Sequence, residues 1–126
     1  MIVGMNHFTI TAEDEQATLD FYVGLLGLTV GHRPDLGFPG AWLYAGGPQA
    51  VLHMYFERPM PATRTGVIDH LAFSATGLKA VKARFDAAGI ACDLRRQTGV
   101  GTWQLFSTDP NGAKVELDFD SSETVQ

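Results

Sequence analysis

The feature that most constrains this chain is an internal duplication: sliding the sequence along itself by 63 residues lays His7 on His70 and His53 on Glu116. The neighbours follow, with Phe8 on Leu71, Ile10 on Phe73 and Phe56 on Phe119, and Gly27 meets Gly89 after a one-residue slip. A unit this short cannot bury one face of a sheet alone, so the two copies are expected to pack together or to be shared between chains. At 126 residues, 45% of them apolar, the chain has enough material for one ordinary domain and needs no second.

The copies have the same element order. Residues 4–11 alternate with period two and carry β-branched and aromatic side chains, which predicts a strand. Ala17, Phe21, Tyr22, Leu25 and Leu26 then recur every three to four residues, with acidic residues ahead of them and Gly27 behind, which predicts a helix over about 14–26. Extended pieces are expected at about 28–33, 41–45 and 49–57, separated by segments rich in Gly and Pro. Residues 58–66 hold two prolines and no periodicity and read as a connector between a first module of about 1–57 and a second of about 67–119. In the second module a strand at 67–74, a helix at about 77–88 closed by Gly89, and strands near 90–95, 102–107 and 113–119 repeat the β-α-β-β-β order, and a polar, loose tail is expected at 120–126.

Composition removes several functions. Cys92 is the only cysteine, so no internal disulfide or multi-thiolate zinc site is available and a reducing compartment suits the chain. The formal net charge of −5, with nine scattered Lys and Arg, offers no footprint for nucleic acid. No apolar run approaches the roughly 20 residues of a membrane span, and no charged leader precedes a hydrophobic stretch, so a cytoplasmic protein without membrane attachment is expected.

Strand parity then picks out a polar set. His7 lies opposite Phe8 and Ile10, His70 opposite Leu71 and Phe73, His53 opposite Leu52 and Met54, and Glu116 opposite Val115 and Leu117. Each is thus expected on the sheet face away from an apolar row. Imidazoles with one carboxylate are a donor set for Zn, Ni, Co, Mn or Fe(II), and two His with one carboxylate leave coordination positions open for a substrate. Phe38, Trp42, Tyr55, Trp103 and Phe106 fall on loops or strands near this set, and Arg33 or Arg96 is placed to meet an anionic group. A Ser-His-Asp hydrolase lacks its G-x-S-x-G elbow here.

The stretches Asn6-His7-Phe8, Leu19-Asp-Phe-Tyr22, Leu26-Gly-Leu28, Ala50-Val-Leu-His-Met54, Asp69-His-Leu-Ala-Phe73 and Asp109-Pro-Asn-Gly-Ala-Lys-Val-Glu-Leu117 carry a family signature. Over roughly residues 4–119 the chain resembles the vicinal oxygen chelate superfamily, the group of glyoxalases, bleomycin-resistance proteins and extradiol dioxygenases. It is most similar there to small lactoylglutathione lyase-like proteins. The resemblance implies an α+β fold of two βαβββ modules whose curved mixed sheets form a bowl around one divalent metal per site. It implies ligands at His7, His53, His70 and Glu116, with Glu116 also moving a proton, and a homodimer with shared sites. The activity implied is that of a lyase or isomerase working on a small oxygenated substrate through a metal-stabilised enediolate.

The sequence also departs from the family. The lyases typically carry a glutamate where His53 stands, and bacterial relatives bind glutathione with an arginine and an asparagine where this chain has Thr11 and Glu57. The fosfomycin-transferring relatives use a serine and a tyrosine where Gln104 and Phe106 stand. Two rival readings come with the family: an iron(II) extradiol-type dioxygenase using His7, His70 and Glu116, and a drug-binding protein without catalysis.

Overall fold

The computed structural model describes residues 1–126. The chain divides into two compact units, Met1–Ala62 and Thr63–Gln126. No helix is long and apolar enough to cross a membrane.

In the first unit β1 (Phe8–Thr11) is followed by a short helix α1 (Glu15–Leu19), then β2 (Thr29–Gly31), β3 (Gly40–Tyr44) and β4 (Ala50–Tyr55). Asp14 caps α1 by accepting a 3.0 Å bond from the Ala17 amide. The expected single α-helix over 14–26 is divided: after Leu19 the chain widens into a π-helical segment, Asp20–Leu25, in which Phe21, Tyr22 and Leu25 are all buried. A π turn advances fewer degrees per residue than an α turn, which shifts the buried stripe without breaking the helix. Gly27, at φ +84, then turns the chain into β2.

The strands form one mixed sheet in the order β1-β4-β3-β2, with β1 parallel to β4 and the other pairs antiparallel. Ala41, Leu43, Leu52 and Met54 are buried with Phe21, Tyr22 and Leu25 and make the core of this unit. Period two sends the alternate residues, Trp42, His53 and Tyr55, to the other face. His53 is paired with Thr9 on one side and Trp42 on the other.

The second unit repeats the plan with β5 (Leu71–Ser74), α2 (Leu78–Ala88), β6 (Asp93–Arg96), β7 (Trp103–Thr108) and β8 (Lys114–Phe119), in the order β5-β8-β7-β6. The duplication extends to the register. Phe8↔Leu52, Thr9↔His53, Ile10↔Met54 and Thr11↔Tyr55 in β1/β4 become Leu71↔Val115, Ala72↔Glu116, Phe73↔Leu117 and Ser74↔Asp118 in β5/β8. Leu78, Phe85, Leu105, Val115, Leu117 and Phe119 form the second core. Between β7 and β8 buried Asp109 holds the turn, its Oδ1 accepting bonds of 2.8 Å from the amides of Asn111 and Ala113. Gly112 supplies the positive φ of +98 that closes it.

Two expectations are corrected. The strands expected from residues 4 and 67 begin only at Phe8 and Leu71, because the pairings with β4 and β8 begin there. The tail is not loose: Glu123 Oε1 accepts bonds of 2.9 and 2.7 Å from the amides of Gly77 and Leu78, and its carbonyl accepts 2.8 Å from Trp103 Nε1. Gly77 has no side chain to cap α2, so the tail supplies the carboxylate that satisfies those orphan amides.

Candidate metal-binding half-sites

Each unit brings two of the four expected ligands together. In the first, His7 immediately precedes β1 and stacks on His53, with ring centroids 3.7 Å apart and planes 15° from parallel. The indole of Trp42 covers His53 at 4.1 Å and 10°. His53 is thus held between two flat groups and is 9% exposed, and its Nε2 is buried without a hydrogen-bond partner. Burial lowers its pKa below the usual imidazole value, and the nearby positive charges of His7 and Arg33 lower it further. A neutral imidazole with an unused buried nitrogen is what a cation requires of a ligand.

In the second unit His70 immediately precedes β5, and its Nε2 lies 3.8 Å from Oε1 of the buried Glu116. Gln104 Nε2 donates to the same oxygen at 3.2 Å. Two ligand bonds of about 2.1 Å each span at most about 4.2 Å, so a cation between His70 and Glu116 would touch both. Burial raises the Glu116 pKa, the neighbouring Asp118 carboxyl raises it further, and the charges of His70 and Lys114 pull it partly back.

The imidazoles His7 and His70 are oriented in the same way. His7 Nδ1 is 2.7 Å from Asn6 Oδ1, and His70 Nδ1 is 2.7 Å from Asp69 Oδ2. A carboxylate or amide oxygen can only accept, so in both rings Nδ1 carries the hydrogen and the Nε2 lone pair is left free. This is the outer arrangement that metal-ligating histidines use to fix their tautomer. Asn6 and Asp69 are also 63 residues apart, a correspondence the sequence already contained.

The donor chemistry therefore fits a divalent cation, and in the first unit one ring must move to receive it. A nitrogen lone pair lies in the plane of its ring, and two nearly parallel planes 3.7 Å apart do not meet near either ring. One ring must rotate for both to bind one ion, and His7, only half-buried, is the freer. Within either unit no three His, Cys, Asp or Glu side chains gather into a metal-holding group.

The aromatic and basic residues sort by face. Phe106 stands edge-on to His70 at 5.9 Å and pairs with Glu116 across β7/β8. Trp42 belongs to the His53 stack. Phe38 and Tyr55 meet edge to face at 5.3 Å, and Arg33 lies 4.9 Å from the Phe38 ring centre. Arg96 and Trp103 do not join His70 and Glu116. Trp103 pairs with Arg96 and Phe119, and parity puts it on the face opposite Gln104 and Phe106. The Arg96 guanidinium lies on the Trp103 ring at 4.0 Å and donates to the Gly101 and Ser121 carbonyls, so both side chains hold loop and tail. The arginine on the Glu116 side is Arg95, 5.3 Å from the Phe106 ring and paired with Asp93. Sequence reasoning missed Asn6, Asp69, Arg95 and Asp118; the offset marks the first two and strand parity with Glu116 marks Asp118, while Arg95 is placed by the β6/β7 register.

Residues 4–117 match the family model of the Glyoxalase/Bleomycin resistance protein/Dioxygenase superfamily. The chain belongs to that superfamily. It is 26% identical over 122 residues to Glyoxylase I 4 of Arabidopsis thaliana, covering 92% of this chain and 70% of the relative. Among solved structures, a glyoxalase family protein of Bacillus anthracis matches with TM-score 0.76 at 19% identity, covering 95% of this chain and 97% of its own. TnmS3, an antibiotic-binding protein of Streptomyces sp. CB03234, matches with TM-score 0.71 at 21% identity, covering 95% and 98%. The two four-stranded mixed sheets with their helices are the α+β fold of these glyoxalase-like neighbours.

Proposed function

We propose that the chain is a divalent-metal-dependent lyase or isomerase of the glyoxalase type, acting on a small oxygenated substrate, with His7, His53, His70 and Glu116 as ligands. The observation that carries this is the repeated orientation of His7 by Asn6 and of His70 by Asp69, which frees Nε2 in both rings. A bound cation supplies Lewis-acid stabilisation of the negative charge that develops on the substrate oxygens when a neighbouring C–H is deprotonated. Zn, Ni, Co, Mn and Fe(II) all accept this donor set.

The chain's own residues do the remaining work. Glu116, alternating between ligand and base, takes the proton from carbon and returns it to the adjacent position. Gln104 holds the Glu116 oxygen, and Phe106 walls that side. His53, kept neutral between Trp42 and His7, offers a nitrogen rather than a charge.

The assembly belongs to the same proposal: a homodimer in which each site is completed by residues of both chains. Ile2, Val3, Met5, Val67 and Ile68 support it, since they are largely exposed apolar residues just ahead of His7 and His70, where the expected strands lack partners. The test is NMR in D₂O with metal-loaded protein and a panel of α-hydroxyketones and hemithioacetals. Deuterium entering next to the carbonyl, and lost in Glu116→Gln at equal metal content, is the expected result. Metal uptake without exchange across the panel would count against it.

One observation favours a second reading, that of a binder without catalysis. The flat stack of His7, His53 and Trp42 has the geometry of a surface for an aromatic ligand, and TnmS3 shares the fold. Tight binding of a planar antibiotic by metal-free protein, with no turnover after metal loading, would favour it.

A further inference from the structure

We infer that the first unit contains a carboxylate-binding site built on Arg33, which selects organic acids as ligands. The guanidinium is already anchored through one nitrogen, since Nη1 donates to the Phe38 carbonyl at 3.0 Å. Its other two nitrogens, Nε and Nη2, are buried and have no partner. These two lie along one edge of the guanidinium, the fork that a planar carboxylate takes with two parallel bonds. Buried donors are ordinarily satisfied, so a charged fork left empty inside a protein marks a place where an acceptor is expected.

The surroundings are those of a receptor and not of an ion pair. No acidic side chain pairs with Arg33; what it meets is an aromatic ring, with its guanidinium carbon 4.9 Å from the centre of Phe38. Arg58 approaches the same ring at 4.5 Å and Tyr55 at 4.3 Å, so a second cation flanks the place. Gly40 leaves room for the fork: a Cβ there would lie 2.9 Å from Arg33 Nη2 and would also strike the Met54 carbonyl. Phe38 is only half-buried, on the loop between β2 and β3, and its ring would have to turn outward for a ligand to reach the fork.

The position says what kind of acid. Gly40 pairs with Tyr55, which is two residues along β4 from His53 on the same face. Two residues of strand are about 7 Å, so the carboxylate lies about that far along the sheet from the His53 ring. A small acid with a carbonyl or hydroxyl a few bonds from its carboxylate spans that distance. Assigning this acid as the substrate class rests on the proposed metal site; the carboxylate site itself does not.

Calorimetry on the full-length, metal-free protein tests it, with phenylpyruvate and its neutral methyl ester as probes. The acid is expected to bind at least about tenfold more tightly than the ester, and Arg33→Met to remove that preference. Arg33→Lys keeps the charge without the fork and is expected to retain only part of it, which keeps the test informative should Arg33→Met fail to fold. Arg58→Met is expected to weaken the acid severalfold. Equal binding of acid and ester, unchanged affinity in Arg33→Lys and Arg33→Met, or inorganic phosphate displacing the acid at matching concentration would overturn the assignment. Acid binding in a chain that takes up no metal would sink the metal reading and leave the carboxylate site standing.

Discussion

Removing the Asp69 carboxylate should weaken metal binding without removing a ligand, and the duplicated scaffold supplies its own control. Asp69 Oδ2 accepts a 2.7 Å bond from His70 Nδ1, and this bond is the largest single cause of the lowered Asp69 pKa, ahead of the hydrogen bond from Lys114. Losing an outer partner of a ligating histidine typically costs 10- to 100-fold in metal affinity. The Asp69 side chain is 73% exposed and water can replace part of what it does, so Asp69→Ala is expected near the lower end, about tenfold. Asp69→Asn makes the second module equivalent to the first, where Asn6 does the same job for His7 with a neutral oxygen. Charge-assisted bonds are roughly twice as strong as neutral ones, so Asn is expected to fall between Asp and Ala. Competition of each variant with a chromophoric zinc chelator measures the three affinities, and thermal melts of the metal-free proteins check that folding is unaffected. Equal affinities for Asp, Asn and Ala would refute the reasoning, as would a loss in Asp69→Ala as large as that in His70→Ala.

Four more outcomes follow from the same structure. Metal affinity should rise with pH across the acidic range, because Glu116 must lose a proton it holds more tightly than usual and His7, His53 and His70 must be neutral; zinc competition against pH reads this. For the metal-free chain the signs oppose. The depressed His53 contributes stability that is present above its ordinary value of 6.5 and is lost as pH falls through the lowered one. The raised Glu116 contributes below its ordinary 4.5 and loses this as pH rises through the raised value, so His53→Phe should flatten the acid side of a pH-dependent melting curve and Glu116→Gln the other. Phe85→Ala empties a fully buried site under the second sheet and should cost about 3–5 kcal/mol in urea unfolding, where a loss below about 1 kcal/mol would mean the core is misassigned. Glu123→Ala removes the cap on α2 and should cost about 1 kcal/mol in the same assay, and no change would mean that the tail is not docked in solution.

Much of this architecture is legible in the residues because it is written twice. The 63-residue offset that aligns His7 with His70 also carries the strand register Thr9↔His53 onto Ala72↔Glu116, so one periodicity reports both the module and the pairing. Strand ends are not legible in this way: residues 4–7 alternate like a strand, but nothing pairs with them, and alternation cannot reveal a missing neighbour. The π-helical turn at Asp20–Leu25 escapes for a related reason, since Phe21, Tyr22 and Leu25 fit an α period closely enough to conceal the wider one. Arg96 and Trp103 were available to parity, which separates Trp103 from Phe106, but the β6/β7 register that puts Arg95 in place of Arg96 beside Gln104 emerges only from the fold. Arg33 is already singled out from the sequence for an anionic group, but its unused edge has no sequence signal, because an arginine's partners are set by tertiary packing.

The most direct test of the metal site is mass-spectrometric metal analysis of the protein purified without added ions, alongside His7→Ala, His53→Ala, His70→Ala and Glu116→Ala. Close to one divalent ion per chain, sharply reduced in every variant while each stays folded, is the result expected. A folded wild-type chain that takes up no divalent metal even when it is supplied, or variants that keep theirs, would contradict the account.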